Sequence, residues 1–399
     1  MANKPRIRFK GFTEDWEQRK FLDLLDTQNG IRRGPFGSSL KKDSFVKKSD
    51  YVVYEQQNAI YDNYETRYFI SKEKYNELIR FNIQPGDFIM SGAGTIGRIS
   101  MVPDGIKKGV FNQALIRFKV NKDSVNPIYF LKFMQSDMMQ KQLTQANPGS
   151  AMTNLVPMDE LKKWDVIIPS LEEQNKISIF INQIDSFITL HQCKLEKLKL
   201  TKKALLQKLF PKNGKDIPEI RFKGFTDTWE QRKLGDLLIL LKDGSHGTHK
   251  NTDEGVYLLS AKNIKNGRIN IMPDDRIISW EDYDVIHKNY ELQLGDILLT
   301  IVGSIGETAI FNLKTKVTFQ RSVAFLRPNS DLNNGFLYTL INTDRFQNQL
   351  QTKQVVSAQP GIYLGDLASI DITYPKNLSE QEKIYSIFKE IENSITLHQ

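Results

Sequence analysis

Several residue types that usually signal a compartment or a chemistry are scarce in this chain. Its 399 residues include one cysteine, Cys193, which excludes an internal disulfide and a zinc site built from cysteines. No run of eighteen apolar residues is present, and the N-terminal MANKPRIRFKGF lacks the apolar core of a signal peptide. A membrane-spanning protein and a disulfide-stabilised secreted protein are therefore disfavoured, and a cytoplasmic protein is predicted.

Motifs of the common enzyme classes are missing as well. The sequence shows no Walker loop, no N-P-P-Y-like methyltransferase motif and no acid–acid–lysine nuclease set. Residues 92–97 match the dinucleotide pattern G-x-G-x-x-G, but a strand follows them and the second copy keeps only two of the glycines, so a hairpin turn is the better interpretation. We predict a non-catalytic chain with no metal site and no cofactor of its own.

The chain contains an internal duplication. Residues 5–25 return as residues 218–238 with 16 of 21 identical, and residues 171–192 return as residues 378–399 with 11 of 22 identical. Between these matched pieces, a Gly-Asp turn at Gly86 and Asp87 recurs at Gly295 and Asp296. The order of motifs is the same in both halves, which predicts one scaffold used twice.

The interiors of the two halves differ. Residues 26–83 and 239–292 share little, which favours one scaffold with two recognition surfaces; neutral drift around a shared core is the alternative. Short β-branched runs alternate with helical stretches such as 127–143 and 336–350, so each half is predicted as an α+β domain. The predicted organisation is a first domain at 1–170, a helix at 171–212, a second domain at 213–377 and a shorter helix at 378–399.

The stretch 171–210 contains neither glycine nor proline and has apolar residues in alternating steps of three and four. This spacing is typical of a helix that packs along another helix, here about 60 Å long. The same pattern returns at the C-terminus, so the second helix is predicted to be the partner. The predicted seam consists of Ile177, Ile181, Ile184, Ile188 and His191 in the first helix, and of Ile384, Phe388, Ile391, Ile395 and His398 in the second.

Basic and amide side chains cluster in the interiors of both halves, and the net charge is +8. Lysines suit phosphate contacts, whereas arginine, asparagine and glutamine can read base edges. Solvated loops are the alternative for any single residue, and His246 and His249 could also be read as a metal pair, although no carboxylate or cysteine pattern accompanies them. The predicted DNA-binding residues are Arg32, Arg33, Lys41, Lys42, Gln56, Gln57, Asn58, Lys242, His246, His249, Lys250, Lys262 and Asn263.

The order of these motifs, found twice, resembles the specificity subunit of type I restriction–modification systems. The resemblance covers the whole chain and rests on the IRFKGFTxxWEQRK openings, the Gly-Asp turns and the L-x-E-Q-x-K-I helix starts at 171–177 and 378–384. It implies two α/β-type target-recognition domains related by a pseudo-two-fold and separated by two long antiparallel conserved helices. It also implies a non-catalytic subunit in which each domain reads one half of a split asymmetric target.

The resemblance further implies a set of partners. These are double-stranded DNA, two methyltransferase subunits and the restriction–translocation subunits, which would hold S-adenosylmethionine, ATP and Mg²⁺ and would methylate adenine or cut. Two alternatives remain open at this point. One is a protein-binding coiled-coil adaptor without sequence-specific DNA readout, and the other is a catalytic restriction or methylation enzyme, which the missing motifs disfavour.

Overall fold

The computed structural model describes residues 5–145, 158–212, 214–355 and 360–398 and divides the chain into two units, residues 1–188 and 189–399. Helices and strands are mixed in both units, which confirms the predicted α+β class. Within the described ranges, every helix is too short or too polar to cross a membrane.

The first unit begins with a strand and ends within a long helix. Its strands are β1 (Glu17–Lys20), β2 (Ile31–Arg33), β3 (Phe45–Val46), β4 (Tyr51–Tyr54), β5 (Tyr68–Ile70), β6 (Phe88–Ser91), β7 (Ile99–Met101), β8 (Lys108–Phe111), β9 (Leu115–Phe118) and β10 (Asp165–Ile168). Its helices are α1 (Gln56–Tyr61), α2 (Lys72–Glu77), α3 (Pro127–Gln135), α4 (Asp137–Gln145), α5 (Met158–Leu161) and the start of α6 (Leu171–Lys208), with short 3-10 helices at Phe21–Leu24, Gly37–Ser39, Lys42–Ser44 and Ile79–Phe81.

The second unit begins within α6 and repeats much of this order. Its strands are β11 (Glu230–Lys233), β12 (Leu238–Asp243), β13 (Val256–Leu259), β14 (Ile264–Lys265), β15 (Arg268–Ile269), β16 (Arg276–Ile278), β17 (Ile297–Thr300), β18 (Thr308–Ile310), β19 (Val317–Phe319), β20 (Val323–Pro328) and β21 (Asp371–Tyr374). Its helices are α7 (Trp280–Ile286), α8 (Asn334–Ile341), α9 (Asp344–Thr352), α10 (Leu364–Ala368) and α11 (Leu378–Leu397), with 3-10 helices at Leu234–Leu237 and Ala261–Asn263.

The sheets of the two units correspond. A four-stranded antiparallel sheet has the order β2-β9-β6-β7 in the first unit and β12-β20-β17-β18 in the second. A further sheet contains the parallel pair β4 and β8, matched by the parallel pair β13 and β19. The duplicated E-Q-R-K segments form β1 and β11, which pair antiparallel with β10 and β21. The repeat in the sequence is therefore a repeat of topology.

The glycine-rich segment 92–97 is a hairpin turn, as predicted. It joins β6 to β7, which pair antiparallel, and Gly97 has a φ of +79°, in the left-handed region that favours glycine. The Gly-Asp turns precede β6 and β17, and there Asp87 accepts a hydrogen bond from the backbone N–H of Gln84 at 2.9 Å. Burial raises the pKa of Asp87 above its usual range.

The duplicated opening and helix-start motifs hold each other in place. Arg8, from the first opening, donates two hydrogen bonds of 2.8 Å to the buried carboxylate of Glu173 on α6. Arg221 donates two equivalent bonds of 2.7 and 2.8 Å to the buried Glu380 on α11. Bidentate pairing of this kind fixes geometry as well as charge. The two motifs recur together because each contains one half of this ion pair.

The glutamine of the helix-start motif is fully buried and satisfies backbone groups from two other segments. Gln174 accepts from the N–H of Asn126 at 2.9 Å and donates to the carbonyl oxygens of Ser124 and Pro169. Gln381 makes the three equivalent bonds in the second unit, at 2.7 to 2.9 Å. Each glutamine thereby ties its long helix to the residues that precede α3 or α8.

The second unit contains an antiparallel helix pair, as predicted. Along α6 the contacts advance from His191 to Lys202, while along α11 they retreat from His398 to Glu392. The two histidine rings lie 5.1 Å apart, and Lys202 Nζ lies 2.7 Å from Glu392 Oε1. The contacts of α11 along α6 thus run from His191, near the end of the segment that its sequence repeats, towards the C-terminal part of α6.

The predicted seam residues divide into two groups. Ile384 and Phe388 are buried in the core of the second unit, and Ile391, Ile395 and His398 are partly buried. Ile177 packs against the core of the first unit, and Ile181 is also partly buried. Ile184 and Ile188 are 41 % and 50 % exposed. The two copies of the seam therefore lie in different environments in this structure.

His287 should make the second unit sensitive to acid. Its ring lies between Tyr283 and Tyr290, with Nε2 3.0 Å from the Thr318 hydroxyl, and burial lowers the pKa of His287. The folded state favours the neutral ring. Its contribution to stability is therefore complete above the unfolded pKa of about 6.5 and is lost as the pH falls through the lower folded pKa.

We expect the stability of the second unit to decline from pH 7.5 to pH 5 and the decline to be weaker in His287→Gln. Thermal unfolding followed by hydrogen exchange of peptides from the second unit measures this. Gln351→Leu gives a control, because it changes an exposed residue of the same unit without removing a titrating group and should keep the wild-type slope. An identical slope in wild type and His287→Gln would contradict the assignment.

Candidate nucleic-acid interface

The predicted basic residues of the first unit lie on and after β2. Arg33 and Lys41 are exposed, and neither forms an ion pair within the described part of the chain. Arg32 is half-buried and donates to Asn29 Oδ1 at 3.3 Å. Lys42 begins a 3-10 helix, and its side chain lies outside the described part. Arg33 and Lys41 are therefore the residues of this group with cationic heads available for a phosphate.

The amide-rich segment of the first unit begins α1. Gln56 and Gln57 are partly exposed, and Gln57 lines a cleft of about 350 Å³ together with the exposed Tyr61 and Arg67. Arg67 is held by Glu55 at 2.9 Å, and this hydrogen bond raises the pKa of the guanidinium further. The amide groups of the two glutamines can contact a ligand without breaking a bond of the fold.

Two predicted DNA-binding asparagines occupy matched buried positions. Asn58 Oδ1 accepts from the N–H of Glu55 at 2.7 Å, and Asn263 Oδ1 accepts from the N–H of Ser260 at 2.8 Å. The Asn58 amide donates to the carbonyls of Asn63 and Glu65, and the Asn263 amide donates to the Asn270 carbonyl and to Asp275 Oδ2. A fully bonded buried amide is costly to withdraw, so these residues shape the loops from inside.

The predicted lysines of the second unit differ in what they contact. Lys242 lies 4.4 Å from the centre of the Tyr290 ring, and Lys262 forms an ion pair of 2.8 Å with Asp275. The hydrogen bond that Lys262 donates to the Asp275 carboxylate raises the pKa of Lys262. Lys250 is exposed and makes no ion pair with a described residue. It is the member of this group best placed for a phosphate contact.

His249 belongs to a serine–histidine–aspartate series. Ser245 Oγ lies 2.6 Å from His249 Nε2, and His249 Nδ1 lies 3.1 Å from Asp282 Oδ1. Hydrolases use the same order of groups. Here the imidazole is mostly buried and Ser245 Oγ also accepts from the N–H of Gly247 at 3.2 Å, so the series stiffens the loop between β12 and β13.

Two loops that the sequence analysis did not single out as a pair occupy equivalent positions. We call residues 34–37 and 244–247 the glycine-anchored loops. Gly34 donates its N–H to the Leu115 carbonyl at 2.9 Å, and Gly244 donates to the Val323 carbonyl at 3.1 Å. A Cβ on Gly34 would meet Asn112 O at 1.8 Å, and one on Gly244 would meet Phe319 O at 2.1 Å. The repeated G-x-x-G pattern after β2 and β12 was the sequence signal for them.

The second glycine-anchored loop borders a cleft of about 480 Å³. The exposed His246 lies on this cleft, with Nε2 2.6 Å from Asp243 Oδ2. Arg321, from the β19–β20 connection, and Tyr363, 68 % exposed, also line it. The guanidinium of Arg321 is exposed and makes no hydrogen bond or ion pair with a residue in the described ranges. The cleft thus combines a guanidinium that has no partner among the described residues with an aromatic face, which suits a nucleic-acid base.

The described residues contain no group of three or more histidine, cysteine, aspartate or glutamate side chains that could hold a metal ion. His246 and His249, the pair that the sequence left open as a metal site, are engaged with Asp243 and with Ser245 and Asp282.

The chain matches a known family twice. The matching family is described as the type I restriction modification DNA specificity domain, and the matched residues are 13–200 and 226–399. The two matches coincide with the two copies of the repeated topology.

Individual relatives are similar over long stretches. The type I restriction enzyme MjaVIII specificity subunit of Methanocaldococcus jannaschii is 23 % identical over 305 residues, 73 % of this chain and 69 % of the relative. The putative type I restriction enzyme MjaX specificity subunit of the same organism is 22 % identical over 401 residues, 96 % of this chain and 88 % of the relative. The crystal structure of a type I restriction–modification S subunit from M. genitalium matches with a TM-score of 0.57 and 13 % identity, over all of this chain and 94 % of the other.

Proposed function

The chain belongs to the type I restriction–modification DNA specificity family, and we propose that each of its two units reads one half of a split, asymmetric DNA target. Subunits of this family are non-catalytic and recognise the DNA target of a restriction–modification complex. Two similar folds in one chain can address two half-sites, as the halves of a protein dimer do. The half-sites should differ in sequence because the exposed loops of the units differ.

The observation that carries this proposal is the contrast between the buried and exposed parts of the repeat. The ion pairs Arg8–Glu173 and Arg221–Glu380 have the same geometry. At equivalent places on the glycine-anchored loops, Phe36 stands exposed in the first unit and His246 in the second. Equivalent buried contacts combined with different exposed side chains suit two domains that recognise different DNA sequences.

We also propose the finer assignments that the resemblance implies. The partners are two methyltransferase subunits and restriction–translocation subunits acting on double-stranded DNA in the cytoplasm. Subunits of this family bind no cofactor themselves, so S-adenosylmethionine, ATP and Mg²⁺ belong to the partners, which methylate adenine or cut. The recognition domains are 1–170 and 213–377, and α6, continuous over 38 residues, serves as the spacer helix.

Exchanging one interior tests the proposal. We replace residues 26–165 by the corresponding segment of a relative with a different target and express the chain with its methyltransferase. Sequencing that detects methylated adenine should show one half of the motif replaced and the other retained, since the second unit is untouched.

The reciprocal exchange is the matched control. Replacing the interior of the second unit, residues 239–370, should change the other half of the motif. If either exchange changes both halves, or if neither changes the motif, one unit does not read one half-site and the proposal fails.

A further inference from the structure

We propose that Arg321 reads a guanine in the half-site of the second unit and that Gln113 reads an adenine in the half-site of the first. This inference rests on the proposed function, in which each unit reads its own half-site.

Gln113 and Arg321 stand at the same place in the repeated fold. Gln113 lies in the connection between β8 and β9, and Arg321 lies in the corresponding connection between β19 and β20. Gly34 donates to Leu115 and Gly244 donates to Val323. In each unit the proposed reader stands two residues before the strand residue that accepts this bond. The two units therefore share the backbone hydrogen bond beside this position but differ in the side chain that the position carries.

The backbone around Arg321 is rigid. Ser245 donates its N–H to the Phe319 carbonyl at 2.8 Å, and Arg321 donates its own N–H to the Ser245 carbonyl at 3.0 Å. Ser245 is in turn held by His249 at 2.6 Å. The main chain is fixed from both sides, so the side chain projects from a pre-organised support, which lowers the entropic cost of binding.

The chemistry of the cleft favours a base edge as the ligand of Arg321. Asp243, an acidic residue that lines the cleft, is hydrogen-bonded to His246 at 2.6 Å. The guanidinium has five donors in a planar fork, and arginine pairs bidentately with guanine O6 and N7. Tyr363 offers an exposed aromatic face on the same cleft. A bare phosphate contact would not require such an apolar surrounding.

The corresponding place in the first unit has a different character. Gln113 is exposed and makes no side-chain hydrogen bond within the described residues, while its neighbour Asn112 is held by the Tyr54 carbonyl at 3.0 Å. Glutamine pairs bidentately with adenine N6 and N7. Phe36, on the facing glycine-anchored loop, is 89 % exposed and presents an aromatic surface. The two readers thus carry different specificities on one support.

Substitutions in the full chain, assembled with its methyltransferase, test both assignments. The methylated motif is determined by sequencing, and the domain exchange described above shows which half-site belongs to which unit. We expect Arg321→Ala to relax one base-pair position in the half-site of the second unit by about 10- to 100-fold in discrimination. Gln113→Ala should relax one position in the other half-site. Arg345→Ala, a matched arginine on α9 away from the cleft, should leave the motif unchanged.

Arg321→Gln is the more demanding variant, because it should shift the preference at its position from guanine towards adenine. Such a gain cannot come from a misfolded protein. An unchanged motif in both Arg321 variants, or a uniform loss of methylation at all targets, overturns the assignment, and the uniform loss would identify a phosphate contact. If the domain exchange itself fails to move a half-site, the proposed function fails, and the two failures are distinguishable.

Discussion

Arg221→Ala should destabilise the second unit by about 3 kcal/mol. The substitution leaves the Glu380 carboxylate buried without its partner, and breaking a buried ion pair costs about 3–5 kcal/mol. The lower end applies because Arg221 keeps 13 % of its side-chain surface exposed. Chemical denaturation followed by hydrogen exchange, with peptides from each unit monitored separately, measures the loss. Protection in the second unit should fall while the first unit stays as in the wild type.

The chain offers a matched control for this prediction. Arg232 and Glu230 form an ion pair of 3.5 Å on the surface of the same unit, and Arg232→Ala should cost less than about 1 kcal/mol. Replacing both Arg221 and Glu380 by apolar residues should recover much of the stability, because no charge then remains buried. A double variant as unstable as Arg221→Ala would show that the uncompensated charge is not the cause.

Gln381→Leu should have a comparable effect for a different reason. Leucine fills the space but leaves the N–H of Asn333 and the carbonyls of Asp331 and Pro375 without their partners. Each unsatisfied buried group costs about 1–3 kcal/mol, so we expect a total of about 3 kcal/mol or more. The start of α8 should lose protection from hydrogen exchange first, since Gln381 holds the residue that caps this helix.

Two further variants separate this cause from a general effect of substitution. Gln351→Leu changes an exposed residue of the same unit and should alter stability by about 0.5 kcal/mol or less. Gln174→Leu removes the equivalent buried glutamine of the first unit and should destabilise that unit alone. Equal stability of Gln381→Leu and wild type would contradict the role of these hydrogen bonds.

The parts of the fold that the two units share could be predicted from the sequence, because the residues that make their buried contacts lie in the repeated motifs. Arg8 and Glu173 lie in two motifs that recur together, and so do Arg221 and Glu380. A duplicated sequence shows which residues have equivalent positions. It does not show which copies touch each other. The pairing of α11 with the later part of α6 could not be read from the repeat, because the repeated segments each pack on their own unit.

The structural roles of polar side chains, as helix caps or buried hydrogen-bonding groups, were not predicted from the sequence. Residues 127–143 were predicted as one helical stretch, whereas Ser136 separates α3 from α4 and its hydroxyl accepts from the N–H of Met139. In the second unit, Thr343 lies within the predicted helical stretch 336–350, between α8 and α9, and caps α9. Asn58 and Asn263 likewise carry amides of the kind that can contact DNA, but the fold buries both side chains. Sequence spacing cannot tell a capping side chain from an exposed one.

The sequence predicted DNA-binding residues on basic and amide-rich loops, and the structure adds Arg321 to the candidates. Basic and amide-rich loops were expected to face DNA, and Arg33, Lys41 and Lys250 are exposed with no ion pair among the described residues. Arg321 was not predicted because it lies outside the variable stretch 239–292. It lines the cleft together with Ile301 and Val302, which follow β17, the strand that pairs with β20. Pairing of strands that are distant in the sequence brings such residues together, and no local sequence pattern predicts that pairing.

The ion pair between Arg8 and Glu173 spans 165 positions of the chain, and that between Arg221 and Glu380 spans 159. In each unit, an ion pair therefore joins a residue near the beginning of the unit to a residue at the start of its long helix. A segment between the two ends can be exchanged for another that offers the same hydrogen-bond partners to Gln174 or Gln381 and the same apolar contacts to the helix. Recombination that joins the beginning of one unit to such an interior is expected to give a folded protein with a new target.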